Sequence, residues 1–257
     1  MSALATARYA DLEGRAVLVT GGASGIGAAL VEGFCRQGAR TWFVDLQDEA
    51  AAALCDRLAA EAGSRPRYRR CDVTDTTALT AVVDELAAAE GGLDVLVNNA
   101  ANDTRIASGE VTEEQWDWSV AVNLKHQFFA SQAAARHMVR AGRGSIVTFG
   151  SVAPRLGIRD LAVYSSCKAA VAGLTRTLAR ELGDAGIRVN AIVPGCIITE
   201  RQLALWISPE DERRIQAEQC LHRRLVAEDV AQMVLFLASD VSSACSSQLF
   251  VVDGGLT

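Results

Sequence analysis

Seven short runs rich in β-branched residues recur along the chain, separated by segments whose apolar residues repeat every three or four positions. Strand-period and helix-period segments alternating in this way predict βαβ units, which set all strands parallel in one sheet with helices on both faces. The runs are Ala16 to Thr20, Thr41 to Asp45, Arg67 to Cys71, Asp94 to Val97, Ser145 to Phe149, Arg188 to Val193 and Leu249 to Val252. A helix is expected around Ile26, Leu30, Val31 and Phe34, with Gly38 as its left-handed stop, and further helices over 48–62, 76–89, 113–140, 162–182 and 227–238. The expected fold is α/β: a single doubly wound Rossmann-type domain over residues 1–257, built on a seven-stranded parallel sheet.

Residues 196–222 break the rhythm, with Pro209 inside them and mixed polarity. Such sheets bind ligands at the carboxyl ends of their strands, so this segment reads as a substrate-covering lid, with an ordinary surface excursion as the alternative.

Composition narrows the function classes. Hydrophobic residues make up 50% and charged residues 22%, with four prolines, which excludes a disordered or fibrous chain. The net charge of −6 provides no basic face for nucleic acid or a membrane surface. The start, MSALATARYADLEGR, has no unbroken apolar run, and no stretch reaches the roughly 18 apolar residues of a membrane span, so a cytoplasmic protein is expected. Seven cysteines without a CxxC pair fit reduced thiols. His126, His137 and His222 form no cluster with carboxylates, so no metal site is expected and they read as structural or surface groups.

After the first strand come Thr20-Gly21-Gly22-Ala23-Ser24-Gly25-Ile26-Gly27 and then a helix. Gly21 can turn sharply, Gly25 lets backbone approach a phosphate, and Gly27 allows close packing of helix on sheet. The free N–H groups of the helix start suit a pyrophosphate, so Gly21, Ser24, Gly25, Ile26 and Gly27 are expected to hold one. Asp45 ends the second strand, where a carboxylate accepts hydrogen bonds from ribose hydroxyls and repels a 2′-phosphate. No arginine adjoins it in sequence, which predicts NAD over NADP; a solvated aspartate opening the next helix is the alternative. Asp72, Val73 and Asn99 also stand at strand ends and suit an adenosine.

Tyr164 and Lys168 lie one helical turn apart, and Ser151 stands just past the fifth strand. The trio suits hydride transfer at an alcohol: the serine orients the substrate oxygen, the phenol exchanges its proton, and the lysine cation lowers the tyrosine pKa from about 10. Of 25 basic residues only Lys125 and Lys168 are lysines, which makes a lysine at this position less of an accident.

With these motifs in place, residues 12–257 resemble the short-chain dehydrogenase/reductase family. The family's glycine motif lies at Thr20 to Gly27, its Asn-Asn-Ala-Gly is represented by Asn98 to Ala101, and its Ser, Tyr and Lys fall on Ser151, Tyr164 and Lys168. The resemblance implies that Asn123 is the catalytic asparagine that kinks a helix and holds a water linked to the lysine. It also implies that Tyr164 and Lys168 touch the cofactor, as do Pro194, Gly195, Ile197 and Thr199 at the nicotinamide carboxamide and pyrophosphate. Tetramers built through the helices near 113–140 and 162–182 are a further implication. Two departures stand out. Ala101 replaces a glycine and would crowd the backbone if that position needs positive φ, and Cys167 beside the lysine would invite alkylation.

Within the family the chain is similar to bacterial aldose 1-dehydrogenases of the D-xylose dehydrogenase kind, on Asn98-Asn99-Ala100-Ala101-Asn102-Asp103-Thr104-Arg105, Thr199-Glu200-Arg201-Gln202, Gln219-Cys220-Leu221 and the run Val234 to Asp240. The resemblance implies NAD-dependent oxidation of an aldose at C1 to the lactone, the sugar being D-xylose, L-arabinose, D-galactose or L-fucose. Asn102, Arg201 and Gln202 offer hydrogen bonds to a sugar and Trp206 an apolar platform, beside Ser151 and Tyr164. Each of the four is equally readable as a surface or structural residue. A secondary-alcohol or 3-oxoacyl oxidoreductase stays open, as does an NAD-sensing protein without turnover.

Overall fold

The computed structural model describes residues 7–257; Met1–Thr6, the beginning of the segment read above as lacking an apolar leader run, lie outside the described residues. Seven parallel strands form one sheet: β1 (Ala16–Thr20), β2 (Arg40–Asp45), β3 (Arg67–Arg70), β4 (Val95–Asn98), β5 (Gly144–Phe149), β6 (Ile187–Pro194) and β7 (Leu249–Val252). Their order is β3-β2-β1-β4-β5-β6-β7. β1 and β4 are buried throughout, as expected for central parallel strands covered on both faces.

The helices are α1 (Gly25–Arg36), α2 (Asp48–Glu61), α3 (Thr76–Glu90), α4 (Glu113–Val120), α5 (His126–Ala141), α6 (Ala153–Leu156), α7 (Ala162–Leu182), α8 (Glu200–Leu205), α9 (Pro209–Glu218) and α10 (Ala227–Ala238). Leu30, Val31 and Phe34 of α1 pack with Leu54 and Leu58 of α2 and Val230, Val234 and Leu235 of α10 on one face of the sheet. On the other face Leu79, Val83 and Leu86 of α3 meet Ala130, Ala134 and Met138 of α5 and Leu178 of α7. The apolar stripes that identify these helices in the sequence are the surfaces they bury.

The strand order reverses between β1 and β4, and doubly wound sheets bind ligands in the crevice outside such a switch point. The turn after β1 and the loop after β4 line that crevice from its two sides. Three local features differ from the sequence expectation. The helix expected over 113–140 is α4 and α5 joined by a π-helical turn at Ala121–Lys125. Residues 153–156 form the short helix α6, where Ser151 Oγ accepts from the Ala153 N–H at 3.1 Å. The irregular segment 196–222 contains α8 and α9, capped at their starts by the Thr199 and Ser208 side chains. Ile197 bridges Leu225 and the Leu221 N–H donates to Gly254 O, so the segment is held at one end to Leu225 and at the other to the chain just after β7.

Candidate active site

The glycine turn is shaped by close approach. Gly21 and Gly25 hold φ of +68° and +54°. A Cβ on Gly27 would stand 1.8 Å from Gly21 O, so only glycine lets α1 start this close to the turn. Ser24, the N-cap of α1, gives no side-chain bond to the helix start, whereas Asp75, Thr112, Thr199 and Ser208 cap α3, α4, α8 and α9. The first N–H groups of α1 are therefore left for an anion. Thr199 Cγ2 lies 3.4 Å from where a Cβ of Gly25 would be, so the segment Pro194–Thr199 closes over the same turn. Ile26 follows at the helix start, half-buried against the α1 side of the core.

Asp45 sits beside this turn. Its Oδ2 accepts from the Ala23 N–H at 2.9 Å, and its Oδ1 accepts from the Leu46 and Gln47 N–H groups at 2.7 and 3.1 Å. Although no arginine adjoins Asp45 in sequence, the sheet supplies one: Arg70 is its register partner on β3, donating to Leu46 O at 2.7 Å and pairing with Asp48. Asn99 Nδ2 donates to Thr20 O and Gly21 O, locking the β4 loop onto the glycine turn. Asp72 accepts from the Thr74 N–H and hydroxyl in an exposed turn, with Val73 buried behind it. A crevice with free helix-start N–H groups, glycine clearance and a carboxylate at the end of β2 fits a nicotinamide dinucleotide.

At the far end, Tyr164 and Lys168 project from one face of α7, with Lys168 Nζ 5.7 Å from the Tyr164 ring centre. The Tyr164 phenol lies against the Ser151 hydroxyl, which pulls its pKa down. Burial outweighs that pull and, with the nearby Asp103 carboxylate, pushes the phenol up to about 12. Lys168 is buried and donates to Phe149 O at 2.9 Å; burial lowers its pKa to about 8 against the opposing influence of Cys167 and Asp103. The expectation that Lys168 holds the phenol below 10 is thus corrected: in this arrangement desolvation dominates at both groups.

Asn123 stands in the π turn as the family resemblance implies, wholly buried. Its Oδ1 accepts from the Asn102 N–H at 2.9 Å and its Nδ2 donates to Asn102 O at 3.0 Å, so its amide fastens the β4 loop. Its own carbonyl accepts from Gln127 Nε2 at 3.0 Å. Gln127, which the sequence reading missed, also donates to Phe149 O and accepts from the Phe149 N–H, so it fixes the carbonyl on which Lys168 rests. No motif marks it; a buried glutamine four residues beyond the asparagine is the signal that was present. His126 is wholly buried near Lys168, and burial lowers its pKa to about 3, leaving a neutral ring.

The two departures fit the fold locally. Ala101 does not take positive φ, which among described non-glycine residues is confined to Asp160 and Ser247. Cys167 is 3% exposed, and burial raises its thiol pKa, which corrects the expectation of ready alkylation.

The four residues assigned to substrate have partners within the chain. Asn102 Oδ1 accepts from the Thr104 N–H and hydroxyl. Gln202 Nε2 donates to Asp103 Oδ2 at 2.6 Å and Arg201 pairs with Asp103 Oδ1 at 3.4 Å. The Trp206 ring carries the Arg105 guanidinium 5.0 Å from its centre.

A family model described as enoyl-(acyl carrier protein) reductase matches residues 21–257. Over 253 residues, 98% of this chain and 99% of the relative, the sequence is 51% identical to a Rhizobium meliloti (strain 1021) protein named "Probable galactose dehydrogenase GalD". It is 46% identical over 252 residues to the D-xylose 1-dehydrogenase of Caulobacter vibrioides (strain NA1000 / CB15N), again covering 98% and 99%. Among solved structures, a short-chain type dehydrogenase/reductase from Mycobacterium ulcerans matches with a TM-score of 0.90 at 34% identity, covering 95% of this chain and 90% of that one. The chain belongs to the short-chain dehydrogenase/reductase family. It is an oxidoreductase acting on CH–OH groups of a small molecule with NAD(H) or NADP(H).

Proposed function

We propose that the protein oxidises an aldose at C1 to the lactone with NAD. The observation that carries this reading is the polarity of the lid side of the site: Asp103, next to the Asn102 that Asn123 holds, meets Gln202 and Arg201 where an aliphatic substrate would want aliphatic walls. The relatives named for galactose and D-xylose point the same way.

The Ser151 hydroxyl hydrogen-bonds the C1 oxygen and holds it against Tyr164. The phenol oxygen accepts the C1 hydroxyl proton once its own has left, while Lys168, fixed by Phe149 O and Gln127, keeps a cation beside it. The bound dinucleotide supplies the hydride acceptor, its nicotinamide C4. Asn123 holds the β4 loop in place. Gly21, Ser24, Gly25, Ile26 and Gly27 bind the pyrophosphate, Asp45 the ribose, Asp72, Val73 and Asn99 the adenosine side, and Pro194, Gly195, Ile197 and Thr199 the nicotinamide side.

The preference for NAD rests on Asp45, whose carboxylate repels a 2′-phosphate, and on the engagement of Arg70 by Asp48 and Leu46 O. Residues 196–222 act as the lid of one domain. Trp116 and Trp118 of α4 and Phe128 and Val139 of α5 are exposed apolar side chains, which supports a homotetramer joined through these helices and α7. A cytoplasmic location agrees with the described residues, none of whose helices is long and apolar enough to cross a membrane.

Absorbance of the reduced dinucleotide, followed with D-xylose, L-arabinose, D-galactose, D-glucose and L-fucose against NAD and NADP, tests the reading. Turnover of at least one aldose with NAD is expected; activity confined to aliphatic or steroid alcohols, or a preference for NADP, contradicts it.

A further inference from the structure

The loop after β4 and the first helix of the lid are fastened side chain to side chain across nearly a hundred residues of sequence. Asp103 accepts from Gln202 at 2.6 Å and pairs with Arg201 at 3.4 Å, while Arg105 stacks on Trp206 at 5.0 Å. Trp206 is the C-cap of α8, and its N–H donates to Gln202 O, one turn back. The loop's side of this junction is itself immobilised, because both backbone groups of Asn102 are held by the buried Asn123 amide. Asp103 is therefore a carboxylate set at a fixed place between α8 of the lid and the loop that the buried Asn123 amide fastens. Its side chain is 21% exposed, and its charge is felt at both Tyr164 and Lys168.

Gln202 and Arg201 supply two hydrogen-bond donors, whereas an ionised carboxylate offers about four lone-pair positions. Under a closed lid the remaining positions need donors, and a carboxylate facing an apolar group without them is costly. The indole Nε1 of Trp206, at the end of α8, is likewise buried without a partner. A substrate that brings its own hydroxyls satisfies such a site; one that brings methylenes does not.

We propose that Asp103 is the specificity-determining residue of this enzyme. Held in register by Gln202 and Arg201, it accepts hydroxyl hydrogens of a polyhydroxylated substrate beside Tyr164 and so selects sugars over simple alcohols. This rests on the aldose reading given above and names the group that carries it. The charged and titratable groups around the carboxylate are Arg201 on the lid, Arg105 on its own loop, and Tyr164 and Lys168 on α7, with Cys167 and His126 behind the lysine. Because the Asp103 charge raises the Tyr164 pKa, its removal also eases ionisation of the phenol.

The test compares the unmodified enzyme with Asp103→Asn and Asp103→Leu, using the best aldose of the panel and cyclohexanol as the unhydroxylated alcohol, with NAD affinity measured by fluorescence titration. Loss of the carboxylate should raise the aldose KM roughly tenfold or more, reflecting hydrogen bonds to a charged acceptor, while changing kcat less. The ratio of kcat/KM for aldose over cyclohexanol should fall by at least that factor, and the pH midpoint of kcat should move down in both variants. A mere lid fastener gives a different pattern. Asp103→Asn keeps an acceptor for Gln202, so an unchanged aldose KM in that variant overturns the proposal, as does a midpoint that stays or moves up. If Asp103→Leu fails to bind NAD and is misfolded, Asp103→Asn decides alone. An unmodified enzyme inactive on every aldose would contradict the proposed function, whereas an active one whose Asp103→Asn variant keeps its KM and selectivity refutes only the role given to Asp103.

Discussion

The glycine turn and the lid side of the crevice are both ligand-facing, yet they are built by different means. Around Thr20–Gly27 the work is done by backbone: glycines whose missing Cβ atoms permit contact, N–H groups at a helix start, and a carboxylate that braces the turn through Ala23. Around Asp103 and α8 it is done by side chains that find one another across nearly a hundred residues of sequence. Backbone cradles suit a cofactor shared by many enzymes, because they read phosphate and ribose and tolerate little change. Side-chain junctions suit a substrate that differs between relatives, because one substitution resets them.

Changes on the two sides should therefore fail in different ways. The largest effect is expected from Tyr164→Phe, which keeps the ring and removes the exchangeable proton. It should lower kcat by at least ~10²-fold with dinucleotide affinity nearly unchanged, as steady-state kinetics beside a fluorescence titration would reveal. A variant that keeps most of its activity would move the base elsewhere.

Gly27→Ala should do the reverse and damage binding and stability before chemistry. Its Cβ would stand 1.8 Å from Gly21 O, backbone that cannot rotate away. Overpacking of this kind costs about 1–3 kcal/mol or more, which corresponds to a Tm lower by at least several degrees for a chain of this size. A melting curve and NAD affinity matching the unmodified protein would show that the turn is looser than described.

Asp45→Ala is a milder change on the same side. Loss of a charged acceptor should weaken NAD by roughly tenfold and relieve the repulsion of NADP, narrowing the ratio of their kcat/KM values. If the ratio is unaffected, Arg70 across the sheet governs the choice.

A further effect concerns stability and pH. Burial lowers Lys168 from its ordinary 10.5 to about 8, so between these values the unfolded chain binds more protons and this group's contribution makes stability rise with pH. Tyr164, raised from 10.0 to about 12, makes stability fall with pH between those values. Lys168→Met should remove the rise between pH 8 and 10.5 and leave the fall above 10, measured by denaturant unfolding at a series of pH values. A rise that survives the substitution would place its source in another group.

The same contrast explains what could be read in advance. All seven strands, the glycine turn and the Tyr164 and Lys168 pair are visible because each is encoded in a few consecutive residues or one helical turn, and Ser151 is visible from its place at the end of the fifth strand. The kink at Asn123 follows from the family resemblance alone, since Ala121–Lys125 has an ordinary helical pattern, and the bonds by which the Asn123 amide holds Asn102 of the β4 loop could not be read at all. Arg201 and Gln202 were legible as polar lid residues, but their common partner Asp103 lies too far away in sequence to be inferred. Arg70 reaches the Asp45 corner only through strand register. The downward shift expected for Tyr164 failed because a spacing of four residues gives the position of a lysine and says nothing of the desolvation around it.

An aldose 1-dehydrogenase must remove hydride from C1 of its sugar. Aldose deuterated at C1, D-galactose or D-xylose according to the panel, offered with NAD and followed by mass spectrometry of both products, tests it most directly. Deuterium is expected in the reduced dinucleotide, with a lactone free of it and slower turnover of the labelled sugar. Reduced dinucleotide free of deuterium, with the label retained in the oxidised sugar, would place the chemistry at another carbon and contradict it.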